Sequence, residues 1–499
     1  MGTSVHEFNT PGDSKALFEM GERLWARSAQ VPAGRNKAFR PYNRAQGSLL
    51  PPSLEGWLPQ EHVAGFILEA VDELLDLSEL YASYQEPDGA PPYDPRMLVK
   101  VLLYGYSVRM ISSRALERSC ADDVACRYLA VNQPPDYRSI ARFRRRHLKA
   151  LESLFTQVVL AGCAMAGLVR LGRVALDGTK LRASALRHKA MSYDHTDPQL
   201  RQLQTQVRAL LADAEAKAKV EARRYGKHNR GDEIPAELGR RESCIAKLKD
   251  AKAAQEAEAR KQAAAAAAER CAKQGKGPDE TKVAVAKAET KAVPSPRAQR
   301  SFTNPESRMM KLGDGSFQHG YNNAQTVVDD QSQVILATMV TQCAGDVGQL
   351  LPIIEQTGAA LAAAGMVMMP RPLLADAGYC SQENLTALEG QEMDILIATG
   401  RLTHDEMVAV APRGRIPKDA TVTQRMARRL RTKSGRAAYA RRRAIVEPVF
   451  GQMKVRQNAG VLRLSGLEGA QGEWTLHALC YNLRKLANSG AEPRRLAWA

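Results

Sequence analysis

Residues 173–185 read RVALDGTKLRASA: an apolar run, Val174-Ala175-Leu176, closes on Asp177 and passes at once to Gly178, Thr179 and Lys180. An ionised carboxylate at the end of a buried strand is costly unless something compensates it, and a bound cation is one such partner. Asp-Gly is also among the strongest turn dipeptides, so taken alone the pair reads as a turn. The same situation recurs in RPLLADAGYCS, residues 371–381, where Asp376 ends an apolar run and small residues follow. Two acids in one local setting point to a shared chemical task.

A third acid stands in AAYARRRAIVEPVFGQMK, residues 437–454, where Glu447 sits in an apolar, helical context. Arg443 precedes it by one helical turn and Lys454 follows it by two, so all three share a face. Pro448 predicts a kink or a restart of the helix at the acid. These residue types suit phosphoryl transfer. Mg²⁺ is a hard ion that takes few carboxylates and keeps several waters, and two such ions about 4 Å apart serve both the attacking and the leaving oxygen. Arg443 and Lys454 cannot ligate a metal and would face the phosphate.

Along the rest of the chain, the first fifty or so residues carry no clear period. Between about 60 and 150 apolar residues recur at three- and four-residue intervals, as in HVAGFILEAVDELL (62–75) and RMLVKVLLYGYSV (96–108), which predicts several short helices. PPDYRSIARFRRRHLKAL (134–151) sets Ile140, Phe143, His147 and Leu148 on one side and Arg138, Arg142, Arg144, Arg145 and Arg146 around them, a pattern suited to a DNA backbone or groove. In 195–300, Leu200, Leu203, Val207, Leu210 and Ala214 step like a helical seam, continued by Leu238, Ile245 and Leu248, so a helical hairpin is expected, with KQGKGPDE and AVPSPRAQR as linker. Beyond it, NAQTVVDDQSQVILATMV (323–340) predicts a β-hairpin, residues 345–365 a helix, and RPLLADAG and EMDILIAT short strands. Asp329 and Asp330 read as turn residues and Asp346 as a helix cap; His319 and His477 read as packed or surface histidines.

The formal net charge of +17 favours a polyanionic partner. Nine Lys and Arg lie between Arg425 and Arg443, Arg428 and Arg429 among them, and lead straight into the Glu447 helix, which predicts a phosphate-backbone track. No apolar run is long enough to span a bilayer, no signal-peptide pattern opens the chain, and the eight cysteines form no CxxC pair, all consistent with a cytoplasmic protein without structural zinc.

The segments ALDGTK, LLADAGYCS and Y…R…E…K resemble the catalytic motifs of the DDE transposases of bacterial insertion sequences, whose Tyr-Arg-Glu-Lys signature falls here on Tyr439, Arg443, Glu447 and Lys454, with the tyrosine one position early. Within the insertion-sequence 4/5 type superfamily, YDPRMLVKVLLYGYSVRMISSRALE, PPDYRSIARFRRRH, NPESRMM and GYNNAQTVVD are most similar to the insertion-sequence 1182 group. The resemblance implies an α/β ribonuclease-H-like catalytic core with an all-α N-terminal DNA-binding domain and an α-helical hairpin insertion. The expected layout is an arm at 1–55, the DNA-binding domain at 56–160, the core at 166–194 plus 300–488, the insertion at 195–299 and a tail at 489–499. It further implies a transposase that binds the terminal inverted repeats of its element, cleaves DNA and transfers the 3′-OH ends to target DNA. Asp177, Asp376 and Glu447 would hold two Mg²⁺ ions, with Mn²⁺ able to substitute. The expected partners are transposon ends, target DNA and a second copy of the chain on paired ends, with no membrane, and the expected location is the bacterial cytoplasm, associated with the nucleoid when bound to DNA. A catalytically silent DNA-binding regulator and a structure-selective nuclease of the same fold are the alternatives.

Overall fold

The computed structural model describes residues 53–84, 91–184, 190–225, 236–301, 304–311, 315–343, 345–363, 366, 369–389, 394–400, 414–417 and 419–497. The expected arm at 1–55 is outside them save its last three residues, and Gly365, the end of the helix expected at 345–365, is wholly outside. One compact unit takes the chain to Arg182 and resumes at Tyr321; the other is Ala183–Gly320. The described strands are β1 (Val174–Arg182), β2 (Ala190–Ser192), β3 (Gln299–Ser301), β4 (Arg308–Lys311), β5 (Phe317–Asp329), β6 (Ile335–Thr341), β7 (Leu373–Ala375) and β8 (Ile395–Ile397).

In the first unit the sheet order is β6-β5-β1-β7-β8. β5 and β6 form the expected antiparallel hairpin, and the Asp329 carboxylate accepts the Gln331 and Ser332 amides at 2.9 and 3.1 Å, which makes it the turn residue it was read as. β1, β7 and β8 run parallel and are built almost wholly of Val, Leu, Ile and Ala where they pair, as strands covered on both faces must be. β6 is an edge, and an edge exposes unpaired backbone groups. The helix Leu467–Asn488 lies against it: Asn482 brackets Ile335, accepting its N–H and donating to its carbonyl at 2.9 Å each. Gln471 accepts from Val340 N at 2.6 Å and donates to Thr338 O at 3.1 Å.

Among the described residues, 53–165 hold helices and no strand. Pro95–Ser107 starts cleanly because Asp94 accepts the Arg96 amide at 2.8 Å and Pro95 takes the first position, where no amide is needed. This apolar helix packs on Leu467–Asn488, and a buried polar chain ties the two. Arg144 donates to Tyr106 Oη and Ile111 O at 2.9 Å, Tyr106 donates to Glu473 Oε1 at 3.2 Å, and Glu473 Oε2 accepts the Arg463 and Leu464 amides at 2.6 and 2.8 Å. Burial raises the Glu473 carboxyl, and the facing Arg144 opposes the shift.

In the second unit Leu200, Leu203 and Leu248 form a core with Met191 and Ile245 against it, so the first helix (Tyr193–Tyr225) finds its partner in the second (Ala236–Lys273). The side chains of Ala214, Arg223 and Arg224 are outside the described set, as are residues 226–235. A third helix, Pro278–Lys291, lies between the two expected linker stretches and takes only the last three residues of the first: Pro278 opens it and Asp279 and Glu280 occupy its first turn. β2 pairs with β3 and β4 with the first residues of β5, where His319 is packed beside Ser307.

His477, midway along Leu467–Asn488, is fully buried against Tyr106 at 4.8 Å. Burial, helped by Arg144, pushes its imidazole down from 6.5 to about 3. A depressed folded pKa contributes stability above pH 6.5 that is lost as pH falls toward 3, by up to about 1.4 kcal/mol per pH unit. His477→Leu should therefore flatten the decline of the thermal midpoint between about pH 6 and 4; an unchanged slope would show that His477 carries no such linkage.

Candidate active site

β1 does not end at Asp177. It continues to Arg182, so Asp177-Gly178 is strand rather than the turn the dipeptide suggests. Val174 pairs with Leu373 and Ala175 with Leu374, and the same parallel register carried two residues on sets Asp177 level with Asp376. Each carboxylate is steadied by a following glycine amide: Gly178 N donates to Asp177 Oδ1 and Gly378 N to Asp376 Oδ1, both at 2.8 Å. Burial pushes the Asp177 carboxyl up; Arg442 and the Gly178 amide pull it down, and the charge of Asp376 raises it again. Two carboxylates thus compete for one partly dry space, the situation a cation relieves. Their donor chemistry, carboxylate oxygens without thiolate or imidazole, fits a hard divalent ion.

The helix Arg442–Arg456 supplies the cations, in a register one residue from the expected one. Arg442, not Arg443, is the buried guanidinium: its Nη1 donates to Asp177 Oδ2 at 2.9 Å, and it bonds Tyr439 and feels Asp376 as well. The tyrosine that stands one position early relative to Arg443 is correctly spaced from Arg442, a signal already present in the sequence. Burial raises the Tyr439 hydroxyl, Arg442 lowers it, and Asp376 adds to the rise. Lys454 donates to Thr179 Oγ1 in the ALDGTK stretch, and burial, then Arg182, lowers its ammonium. Glu447 is the outlier. Its side chain is 59% exposed and paired with Arg443 at 3.7 Å. Among the described residues no three His, Cys, Asp or Glu side chains lie close enough together to hold one metal ion. Arg443, Glu447 and Lys454 do share one stripe of the helix, and Lys454 shows that this stripe borders β1.

Pro448 neither ends nor restarts this helix, which is continuous through it. A proline cannot donate to the carbonyl four residues earlier. That carbonyl, Ala444 O, accepts instead from Gln333 Nε2 at 3.0 Å, whose Oε1 in turn accepts from Lys485 at 3.3 Å.

The basic residues divide sharply. Arg144 is buried in the Tyr106 link, which corrects its reading as a DNA contact: helical spacing turns it to the apolar side. Arg138, Arg142, Arg145 and Arg146 are exposed and line a concavity of about 760 Å³ with Arg114, Tyr137 and the buried Arg144; Arg146 also lies over Tyr84 and donates to Ser83 O at 2.7 Å. In the run before the Glu447 helix, Arg429 pairs with Asp394, Arg425 with Glu389 and Arg441 with Asp330, and Arg428 donates to Gly414 O and Arg415 O. These four guanidiniums have partners inside the fold.

Comparison with known families gives two matches. Residues 52–146 match a transposase domain (DUF772), and residues 269–483 match a transposase DDE domain. Asp376 and Glu447 fall inside the second match and Asp177 outside both. The DDE domain implies a ribonuclease-H-like fold, in keeping with the mixed sheet and the helical N-terminal region. No curated protein and no solved structure matches the chain significantly.

Gln333→Ala should leave the Ala444 carbonyl without its partner and lower unfolding free energy by about 1–2 kcal/mol. Denaturant titration measures this; an unchanged midpoint would mean that water serves the carbonyl equally well.

Proposed function

We propose that this chain, which belongs to the DDE transposases of insertion sequences, binds the terminal inverted repeats of its element, cleaves DNA there and joins the 3′-OH ends to target DNA. The observation that carries the reading is the parallel register of β1 and β7, which brings Asp177 on β1 level with Asp376 just past the end of β7, with Arg442 and Lys454 reaching β1 from the helix that bears Glu447. Asp177, Asp376 and Glu447 are the proposed ligands. Two Mg²⁺ ions, when bound, would activate the attacking oxygen and stabilise the leaving one.

The chain's own groups have separate tasks. Asp177 and Asp376 are preset by their glycine amides, whereas Glu447 must exchange Arg443 for the site, a side-chain change within its stripe of the helix. Arg442 neutralises Asp177 before substrate arrives and turns to the strand phosphate afterwards, with Lys454 beside it and Tyr439 holding the guanidinium. Arg443 is left as the solvent-side partner of Glu447. In the helical region 56–160, Arg138, Arg142, Arg145 and Arg146 are the proposed backbone contacts. Residues 166–194 with 300–488 are the proposed catalytic core, 195–299 an insertion, and a dimer on paired ends the acting species.

With labelled element ends and Mg²⁺, Asp177→Ala, Asp376→Ala and Glu447→Ala should each abolish cleavage and spare end binding. Activity within roughly tenfold of wild type would remove that residue from the site. Arg442→Ala should cut cleavage roughly a hundredfold and Arg443→Ala far less; the reverse order would restore the motif arginine to Arg443. Replacing Arg142 and Arg145 together should reduce the salt slope of binding by about one unit for each phosphate these arginines neutralise, and an unchanged slope would place the DNA elsewhere.

A further inference from the structure

Asp346 reads as a helix cap, and its backbone does stand at the start of a short turn, Val347–Gln349. Its carboxylate does not cap it. Oδ1 accepts instead from the carboxamides of Asn323 and Gln325, the latter at 3.1 Å, two alternate residues on one face of β5. Gln325 Oε1 then accepts the hydroxyl of Tyr379, three residues after Asp376. Asn323, Gln325 and Tyr379 are buried.

This network touches both acid-bearing segments at their glycines. A side chain on Gly178 would collide with the Asn323 carboxamide and meet Gln325 Nε2 at 2.8 Å. A side chain on Gly378 would lie 2.7 Å from Asp346 Oδ2 and 3.0 Å from Asp376 Oδ1. The glycines beyond Asp177 and Asp376 are therefore required by one polar cluster pressing on both backbones, and these same glycines present the amides that hold the two carboxylates. Asn384 closes the ring, donating to Val347 O beside Asp346 at 2.7 Å and to Tyr379 O at 3.0 Å.

We propose that Asp346 is a positioning residue that, through Asn323, Gln325 and Tyr379, holds the Asp177 and Asp376 carboxylates at the separation the reaction needs. The inference rests on the assignment of those two acids to the active site. It distinguishes a hydrogen-bonding role, met by any oxygen at the Oδ1 position, from a ligand role, which needs the negative charge.

Full-length Asp346→Ala, Asp346→Asn and Asp376→Asn are compared for Mg²⁺-dependent cleavage, for Mn²⁺ affinity of the DNA-free protein by calorimetry, and for thermal midpoint. Asp346→Ala should cut cleavage about a hundredfold and weaken Mn²⁺ binding about tenfold. Asp346→Asn, which keeps the acceptor, should restore both close to wild type, even if the two variants melt alike. An Asn variant as impaired as Ala would mean the charge itself is used and would overturn the proposal, as would wild-type cleavage and Mn²⁺ affinity in Asp346→Ala. Wild-type cleavage by Asp376→Asn would instead overturn the active-site assignment. If Asp346→Ala does not fold, failure of Asp346→Asn to keep wild-type cleavage and Mn²⁺ affinity overturns the proposal by itself.

Discussion

The Asp177 carboxylate, only 20% exposed in the middle of a strand, is a charge that must be compensated wherever it looks. The Gly178 amide serves one oxygen and Arg442 the other. The neighbouring Asp376 makes the same demand at the same level of the sheet. Arg442, the first residue of its helix, faces both from one side, and below them the Asn323 and Gln325 carboxamides, which donate to Asp346, press against Gly178, a residue that has no side chain.

That helix carries its own cost. Pro448 frees a carbonyl beside the acid, and Gln333, from the hairpin turn, satisfies it. Lys485 holds Gln333 in turn, so the β5–β6 hairpin, the Glu447 helix and the helix Leu467–Asn488 are joined by polar contacts. The same long helix covers the β6 edge and reaches the N-terminal helices through Glu473, Tyr106 and Arg144. Glu473 is fully buried and its removal would strand the Tyr106 hydroxyl and two backbone amides together. The two segments that match separate transposase domains therefore share one buried polar link.

Charge is distributed less simply than composition suggests. A net +17 invites every basic run to be read as a nucleic-acid contact. Before the Glu447 helix, however, arginines neutralise Asp394, Glu389 and Asp330. Ion pairs as exposed as Arg425–Glu389 add little stability, yet they occupy the guanidiniums. The concavity of Arg138, Arg142 and Arg145 has no such carboxylate among its lining residues, and there the positive potential remains available.

Much was legible from local pattern alone. The hairpin at 323–340, the apolar start of β1 ahead of Asp177, the short strand that stops just before Asp376, the N-terminal helices and the seam of Leu200 and Leu203 all follow from periodicity and turn chemistry, which act over a few residues. What periodicity could not supply was anything decided between elements. Asp-Gly has turn propensity, but pairing with β5 and β7 keeps it in a strand. Helical spacing puts Arg144 on the stripe of Ile140, Phe143 and His147, but only the opposing Tyr106 gives its guanidinium a partner inside. The choice of Arg442 over Arg443 depends on which side of a helix meets β1, and the role of Asp346 depends on side chains about twenty residues away in sequence. Backbone propensity is local, whereas desolvating a charge is settled by whatever the rest of the chain places beside it.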